Sequence, residues 1–324
     1  MIGNLSDRGV AEIKIKGKKI SPRDIITYAE YLHCAPDIES LKEKIFFPRH
    51  LVLGENDRIY AIGNDYNGKF GRAAIIDPND GHTILAFGEF TDNDTPYGLW
   101  NPRGIATDNE GNIYIANQGP YCVKKFSPEG KFLAQWCARG TEEGEFMNPM
   151  GIAVDPRNSD VYVLDSYEPP GKFDLNEQMR VQKFTKDGKF IKKWGERWWV
   201  RWPISWNNIK EQLFWAFYID RSVIMPRIAM VPTIEEPSGI AVDSKGYVYI
   251  AERRKYRINK YTSNGRLVKR WGRQGSGPGE FLFDVSGRPI GMAVDADDNV
   301  YVVDHENDRV QKFNSNGRFL AEIK

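Results

Sequence analysis

The stretch NPRGIATDNEGNIYIANQGPYCVKKF, residues 101–126, decides how the chain is built, because most of it returns. It recurs as NPMGIAVDPRNSDVYVLD at 148–165, as EPSGIAVDSKGYVYIAE at 236–252 and as RPIGMAVDADDNVYVVD at 288–304; a looser copy, PRHLVLGENDRIYAIGN, occupies 48–64. Each full copy continues into a further apolar segment and a glycine turn, Val123–Gly130, Val181–Gly188, Ile258–Gly265 and Val310–Gly317. Runs of four to six residues rich in Val, Ile, Tyr and Phe, bounded by Gly, Pro, Asn and Asp, read as short strands. The longer runs at helical spacing that helices need are absent from the repeats.

The inner runs, GIAVD and VYVVD, are apolar on both faces, so each strand must lie between two packed sheets. Four strands per repeat, packed face to face at a period of about 40–50 residues, describe a β-propeller. The anchor positions are His50, Gly104, Gly151, Gly239 and Gly291, with gaps of 54, 47, 88 and 52. The gap of 88 is close to two repeats, so a degenerate blade is expected over 197–235. The expectation is therefore an all-β, six-bladed propeller of four-stranded antiparallel blades. The blades span about 48–90, 101–147, 148–196, 197–235 (degenerate), 236–283 and 287–324, behind an N-terminal arm at 1–47.

The PxGIAVD starts, the VYVxD second strands and the segment DHENDRVQKF at 304–313 resemble the NHL-repeat family of β-propellers. The resemblance covers about 48–324 and is weakest over 197–235. It implies fold and leaves function open, because a propeller hosts many unrelated functions. Some NHL propellers of tripartite-motif proteins bind RNA. Some six-bladed relatives are metal-dependent lyases, such as the peptidyl-hydroxyglycine amidating lyases, which supply several histidine ligands around the channel. Here the histidines are His33, His50, His82 and His305, with no pair at a recognisable ligand spacing.

With 45 basic and 44 acidic residues among 324, net charge implies no polyanionic partner. The three cysteines, Cys34, Cys122 and Cys137, are too few and odd in number for a disulfide-stapled scaffold. Cys122 and Cys137 flank one turn and could face each other, but read first as two free buried thiols. The chain start carries no apolar signal core or membrane span, which leads to an expectation of cytoplasmic location. In the arm, residues 9–16 alternate like a strand that could join the last blade. Ser21-Pro-Arg-Asp24 opens a helix, and Pro36 begins a second, so a helical hairpin is expected to cap the propeller or dock a partner.

Three groups of residues are candidates for function. The first is the set ending the second strand of each blade: Asn64, Asn117, Asp165, Asp220, Glu252 and Asp304, with His305 beside the last. These are expected to ring the channel mouth, where carboxylates could hold a divalent cation or a polar ligand; no other cofactor is predicted. Equally, an acid there is part of the repeat and turns the chain. The second is Trp198, Trp199, Trp202, Trp206 and Trp215, five of nine tryptophans in 18 positions. They read as the core of the degenerate blade, as a protein-docking patch or as peripheral membrane contact. The third is Arg253, Arg254, Lys255 and Arg257, the start of a basic run with interleaved aromatics that suits RNA or another polyanion, or simply a solvated blade edge. Lys125, Lys183, Lys260 and Lys312 recur at one repeat position and read as structural. An insertion at 166–178 reads as a loop that either binds or fills space. The leading functional reading is a non-enzymatic propeller that docks a protein partner. The alternatives are a metal- or small-ligand enzyme at the channel mouth, and RNA binding through the blade at 236–283.

Overall fold

In the computed structural model the described residues are 13–15, 18–20, 47–54, 58–64, 71–77, 83–89, 95–167, 178–195, 234, 236–283 and 290–324. A hairpin of β1 (Ile13–Ile15) and β2 (Lys18–Ile20) forms a two-stranded sheet of its own. Of the strand read over 9–16, the described residues 13–15 pair with β2. Five four-stranded antiparallel sheets follow, each a meander in sequence order. Blade I comprises β3 (Phe47–Leu53), β4 (Ile59–Asn64), β5 (Gly71–Ile76) and β6 (Thr83–Phe87); blade II comprises β7 (Pro102–Thr107), β8 (Ile113–Asn117), β9 (Cys122–Phe126) and β10 (Phe132–Cys137). Blade III holds β11 (Pro149–Val154), β12 (Val161–Tyr167), β13 (Gln178–Phe184) and β14 (Phe190–Trp194). Blade IV holds β15 (Pro237–Val242), β16 (Val248–Glu252), β17 (Arg257–Tyr261) and β18 (Leu267–Trp271). Blade V holds β19 (Met292–Val294), β20 (Val300–Asp304), β21 (Arg309–Phe313) and β22 (Phe319–Ile323).

Period-two alternation explains why the strands are apolar on both faces. In β16, Val248 and Ile250 pack towards blade III, while Tyr249 and Ala251 pack towards blade V. Equivalent cores join I to II through Tyr60, Ile62, Ile105 and Ile115, and II to III through Tyr114, Ala116, Ile152 and Val163. The outer strands seal these cores with an aromatic lid: Trp136 meets Tyr114 edge-on at 6.3 Å, Trp194 meets Tyr162 at 5.9 Å and Trp271 meets Tyr249 at 6.0 Å.

The six-blade expectation needs correcting for the described residues, which form five blades. Blades III and IV share one core, with Leu164 and Val181 in the same cluster as Ile240 and Ile250, so IV follows III directly around the ring. Of the expected degenerate blade over 197–235, all but Ile234 lies outside the described residues, as do the predicted helices over 21–46 and positions 168–177 of the insertion. A second correction concerns the thiols. Cys137 lies opposite Cys122 in the β9–β10 register, with Cα atoms 4.2 Å apart, and the two form a disulfide. The pairing is a register property: it becomes visible once the turn at Ser127–Gly130 fixes which residues of β9 and β10 face each other.

Candidate functional site

The first strands of the blades, β3, β7, β11 and β15, are the innermost, and with residues 290–292 they line a central cleft that opens to solvent. They approach one another so closely that only glycine fits at the repeat anchor. A Cβ added at Gly239 would lie 2.3 Å from the Ile290 carbonyl oxygen, and one at Gly104 would lie 2.8 Å from that of Met150. The wall is Arg103, Met150, Ile152, Ser238, Ile240, Arg253, Ile290 and Met292 with the anchor glycines, and His50 where the first blade has no anchor glycine. Two guanidiniums, one imidazole and the Ser238 hydroxyl thus stand on an otherwise apolar wall, with no carboxylate among the described lining residues.

Each polar wall residue is held. Arg103 Nε donates to Gln118 Oε1 at 3.0 Å. Arg253 Nη2 donates to Ser238 Oγ at 2.7 Å, and the same hydroxyl oxygen accepts the Ile290 N–H at 3.2 Å. The Ile105 N–H donates to His50 Nδ1 at 3.0 Å, and burial lowers the imidazole to about 4. At neutral pH the ring is therefore uncharged with its proton on Nε2, so this wall residue carries a donor and not a lone pair on Nε2. Metal ligation through Nε2 would require the opposite tautomer, with an Nδ1–H aimed at the Ile105 N–H. At the rim an amide chain crosses three blades. Asn64 Nδ2 donates to Asn101 Oδ1 at 2.9 Å, Asn101 Nδ2 donates to Gln118 Oε1, Gln118 Nε2 donates to Asn148 Oδ1, and Asn148 Nδ2 donates to Ser166 Oγ at 2.8 Å.

The predicted ring of strand-end residues is displaced by one position. Asn117, Asp165, Glu252 and Asp304 have no solvent exposure and point into their own blades. Asp165 accepts the N–H groups of Met147 and Asn148 at 3.0 and 2.8 Å and pairs with the fully buried Arg180 at 2.9 Å. Asp304 accepts the Leu282 N–H at 2.7 Å and pairs with Arg309 at 2.8 Å. Glu252 pairs with Arg257. Asn117 accepts the Trp100 N–H at 2.8 Å and donates to the Gly98 carbonyl at 3.1 Å. These side chains tie the incoming loop to the blade. Because successive strand residues face opposite ways, the residue one further on reaches the rim: Gln118 and Ser166 in the amide chain, and Arg253 on the cleft wall. His305 holds the same place in blade V and lies 3.3 Å from Glu306. Asp220 lies outside the described residues.

The basic run also divides. Arg254 pairs with Glu236 at 2.5 Å and Arg257 with Glu252, while Lys255 is exposed. Two of the four nominated cations are therefore paired with acids of their own blade, and Arg253 belongs to the cleft. Trp198, Trp199, Trp202, Trp206 and Trp215 lie outside the described residues. The recurring lysines are structural: the Lys125, Lys183, Lys260 and Lys312 ammonium groups sit 5.0–5.3 Å from the ring centres of Tyr114, Tyr162, Tyr249 and Tyr301. Three of these tyrosines donate to the aspartate closing the first strand, Tyr114 to Asp108, Tyr249 to Asp243 and Tyr301 to Asp295, at 2.8–3.0 Å.

The cleft residues Arg103, Met150, Ser238 and Ile290 escaped sequence reading, although a signal was present. They occupy the x of the P-x-G anchor, the one place in that motif where the copies disagree. A position facing the axis is released from blade packing and is free to vary.

A profile of the NHL repeat matches residues 287–313. The peptidylglycine alpha-amidating monooxygenase of Rattus norvegicus is 26% identical over 134 residues, covering 40% of this chain and 12% of its own length. The corresponding B form of Xenopus laevis is 23% identical over 229 residues, 66% of this chain and 22% of its own length. Protein brain tumor of Drosophila melanogaster is 19% identical over 207 residues, 64% and 14% respectively. The matched region is thus about a fifth or less of these relatives. Among solved structures, a streptogramin B lyase superposes with a TM-score of 0.47 at 14% identity, covering 86% of this chain and 68% of that one.

Proposed function

We propose that this chain, an NHL-repeat β-propeller, is a binding module that docks a protein partner and receives a carboxylate-bearing segment of it in the central cleft. The observation that carries the reading is the composition of the wall: Arg103 and Arg253 over Met150, Ile152, Ile290 and Met292, with a neutral His50 offering Nε2–H. Guanidiniums match carboxylates in geometry and charge, and an apolar wall beneath them suits the side chains of a peptide. Three of the blade acids that would have repelled such a guest are consumed by Arg180, Arg257 and Arg309. Curated relatives named for action on peptidylglycine chains add support for a peptide end as the guest. Recognition is favoured over metal-assisted catalysis because His50 offers a proton and not a lone pair. The polyanion reading is weaker, since Arg254 and Arg257 are matched by acids.

The test is binding of short peptides that differ only in a free or amidated C-terminus, measured with wild type and the Arg103→Gln and Arg253→Gln variants. Each charged hydrogen bond lost should weaken the carboxylate peptide by roughly ten-fold or more. Equal binding of acid and amide would overturn the reading.

We also propose that the ring holds a sixth blade between blades V and I. Ala61, Ala74 and Ile76 on the outer face of blade I are buried, and so are Val303, Val310 and Ile323 of blade V. Among the described residues, shared buried clusters join I–II, II–III, III–IV and IV–V only.

A further inference from the structure

Blades I and II depart from the other three at one register position. In blades III, IV and V the strand-end acid faces an arginine across the sheet: Asp165 and Arg180, Glu252 and Arg257, Asp304 and Arg309. In blade I the same pair is Asn64 and Gly71, and in blade II it is Asn117 and Cys122. Both charges are gone together, as burial requires, since either alone would be an uncompensated ion. Cys122 is instead bonded to Cys137 on the outermost strand. The buried Lys124 takes over one loop contact and donates to the Thr95 carbonyl. The disulfide therefore starts from the position where blades III, IV and V hold the arginine of a salt-bridge clamp.

That clamp borders the cleft. Only residues 118–121 separate Asn117 from Cys122, and this turn is closed by the Tyr121 N–H donating to the Gln118 carbonyl at 3.2 Å. Gln118 is the residue that holds Arg103 through Nε. Its amide also joins Asn101 to Asn148, so blades II and III meet through it. Cys122 is fully buried, whereas Cys137 is partly exposed on the outer strand, which gives a reductant its point of entry.

We propose that the Cys122–Cys137 disulfide is a redox control on the cleft, with the oxidised form holding Gln118 and Arg103 in place and the reduced form releasing them. This rests on the reading of the cleft as a carboxylate site. The reductant is a dithiol. One thiolate attacks the Cys137 sulfur, the S–S bond breaks, and Cys122 leaves as a thiolate that takes up a proton. The second thiol of the reductant then displaces Cys137 as a thiol and closes a cyclic disulfide. The protein gains two electrons and two protons, and the dithiol loses them. Gln118 is a positioning residue in this scheme, acting through Arg103.

The experiment measures affinity for a peptide with a free C-terminal carboxylate before and after dithiothreitol, with opening verified by thiol count, alongside amide hydrogen exchange over 118–121. Reduction should weaken the peptide about ten-fold, the scale of one misplaced charged hydrogen bond, and speed exchange of those amides; reoxidation should restore both. The triple variant Asn117→Asp, Cys122→Arg, Cys137→Gly rebuilds the clamp of blade III, where Asp165 faces Arg180 and Gly195 follows Trp194 on the outer strand, and should be indifferent to dithiothreitol. Unchanged exchange at 118–121 in a protein with both thiols free overturns the control, whatever the peptide does. Faster exchange without any acid-over-amide preference in the oxidised protein overturns the carboxylate reading and with it the redox effect on binding.

Discussion

Asp165 and Arg180 lie 2.9 Å apart with no solvent exposure on either side chain. Arg180 also donates to the Glu145 carbonyl at 2.7 Å, so one guanidinium closes both the ion pair and the loop entering blade III. Arg180→Met should cost about 3–5 kcal/mol in denaturant unfolding, because it strands a buried carboxylate; Asp165→Asn with Arg180→Met should cost less than the single change. A single variant within about 1 kcal/mol of wild type would contradict the clamp. His50 yields a prediction of the opposite kind. Its folded-state value is about 4 against an ordinary 6.5, lowered by burial. Between those values the unfolded chain binds the extra proton, so stability is fully present above pH 6.5 and is lost as pH falls towards 4. Thermal melts of His50→Gln against wild type should show that loss shrinking across this window; parallel curves would show that the ring does not titrate there. The residue-level errors of sequence reading have one cause. The strand-end acids were recognisable as a repeat, but on a strand a shift of one residue reverses the face, and the register that decides it is not written in composition.

At the level of the element, the blade is a compact set of matched substitutions. Where the first strand ends in Asp and the third carries Lys, the second carries Tyr between them, as in Asp243, Tyr249 and Lys260. Blade I keeps Tyr60 but has Gly54 and Ile75 in the other two places, so the two charges disappear together. Burial holds the Lys260 ammonium below the ordinary lysine value, while burial and the Asp243 carboxylate raise the Tyr249 hydroxyl, which keeps that phenol protonated as a donor. This cluster was legible because the lysines recur at one position of the repeat. The disulfide was not, because cysteine occurs at that position in one blade only and spacing alone permits two free thiols equally well. The P-x-G position was legible in principle, by asking where the copies disagree.

For the whole molecule, repeat counting predicted the strand order and the packing of neighbouring blades, and over-read one interval. A spacing of 88 residues is consistent with two blades in sequence, yet blades III and IV share a core. If a sixth blade completes the ring between V and I, spin labels on an Ala61→Cys, Val303→Cys variant will lie about 20 Å or more apart, since stacked sheets lie about 10 Å apart and an intervening blade doubles that. A label separation of about 10 Å would instead mean that V and I close directly on each other.

The most direct test of the central claim is calorimetric titration of the oxidised protein with a peptide ending in a free carboxylate and with its amide. The cleft of Arg103 and Arg253 predicts that the acid binds at least about ten-fold more tightly and that Arg103→Gln with Arg253→Gln erases the difference. Equal affinities for acid and amide, or a preference that survives the double substitution, would place recognition elsewhere on the propeller.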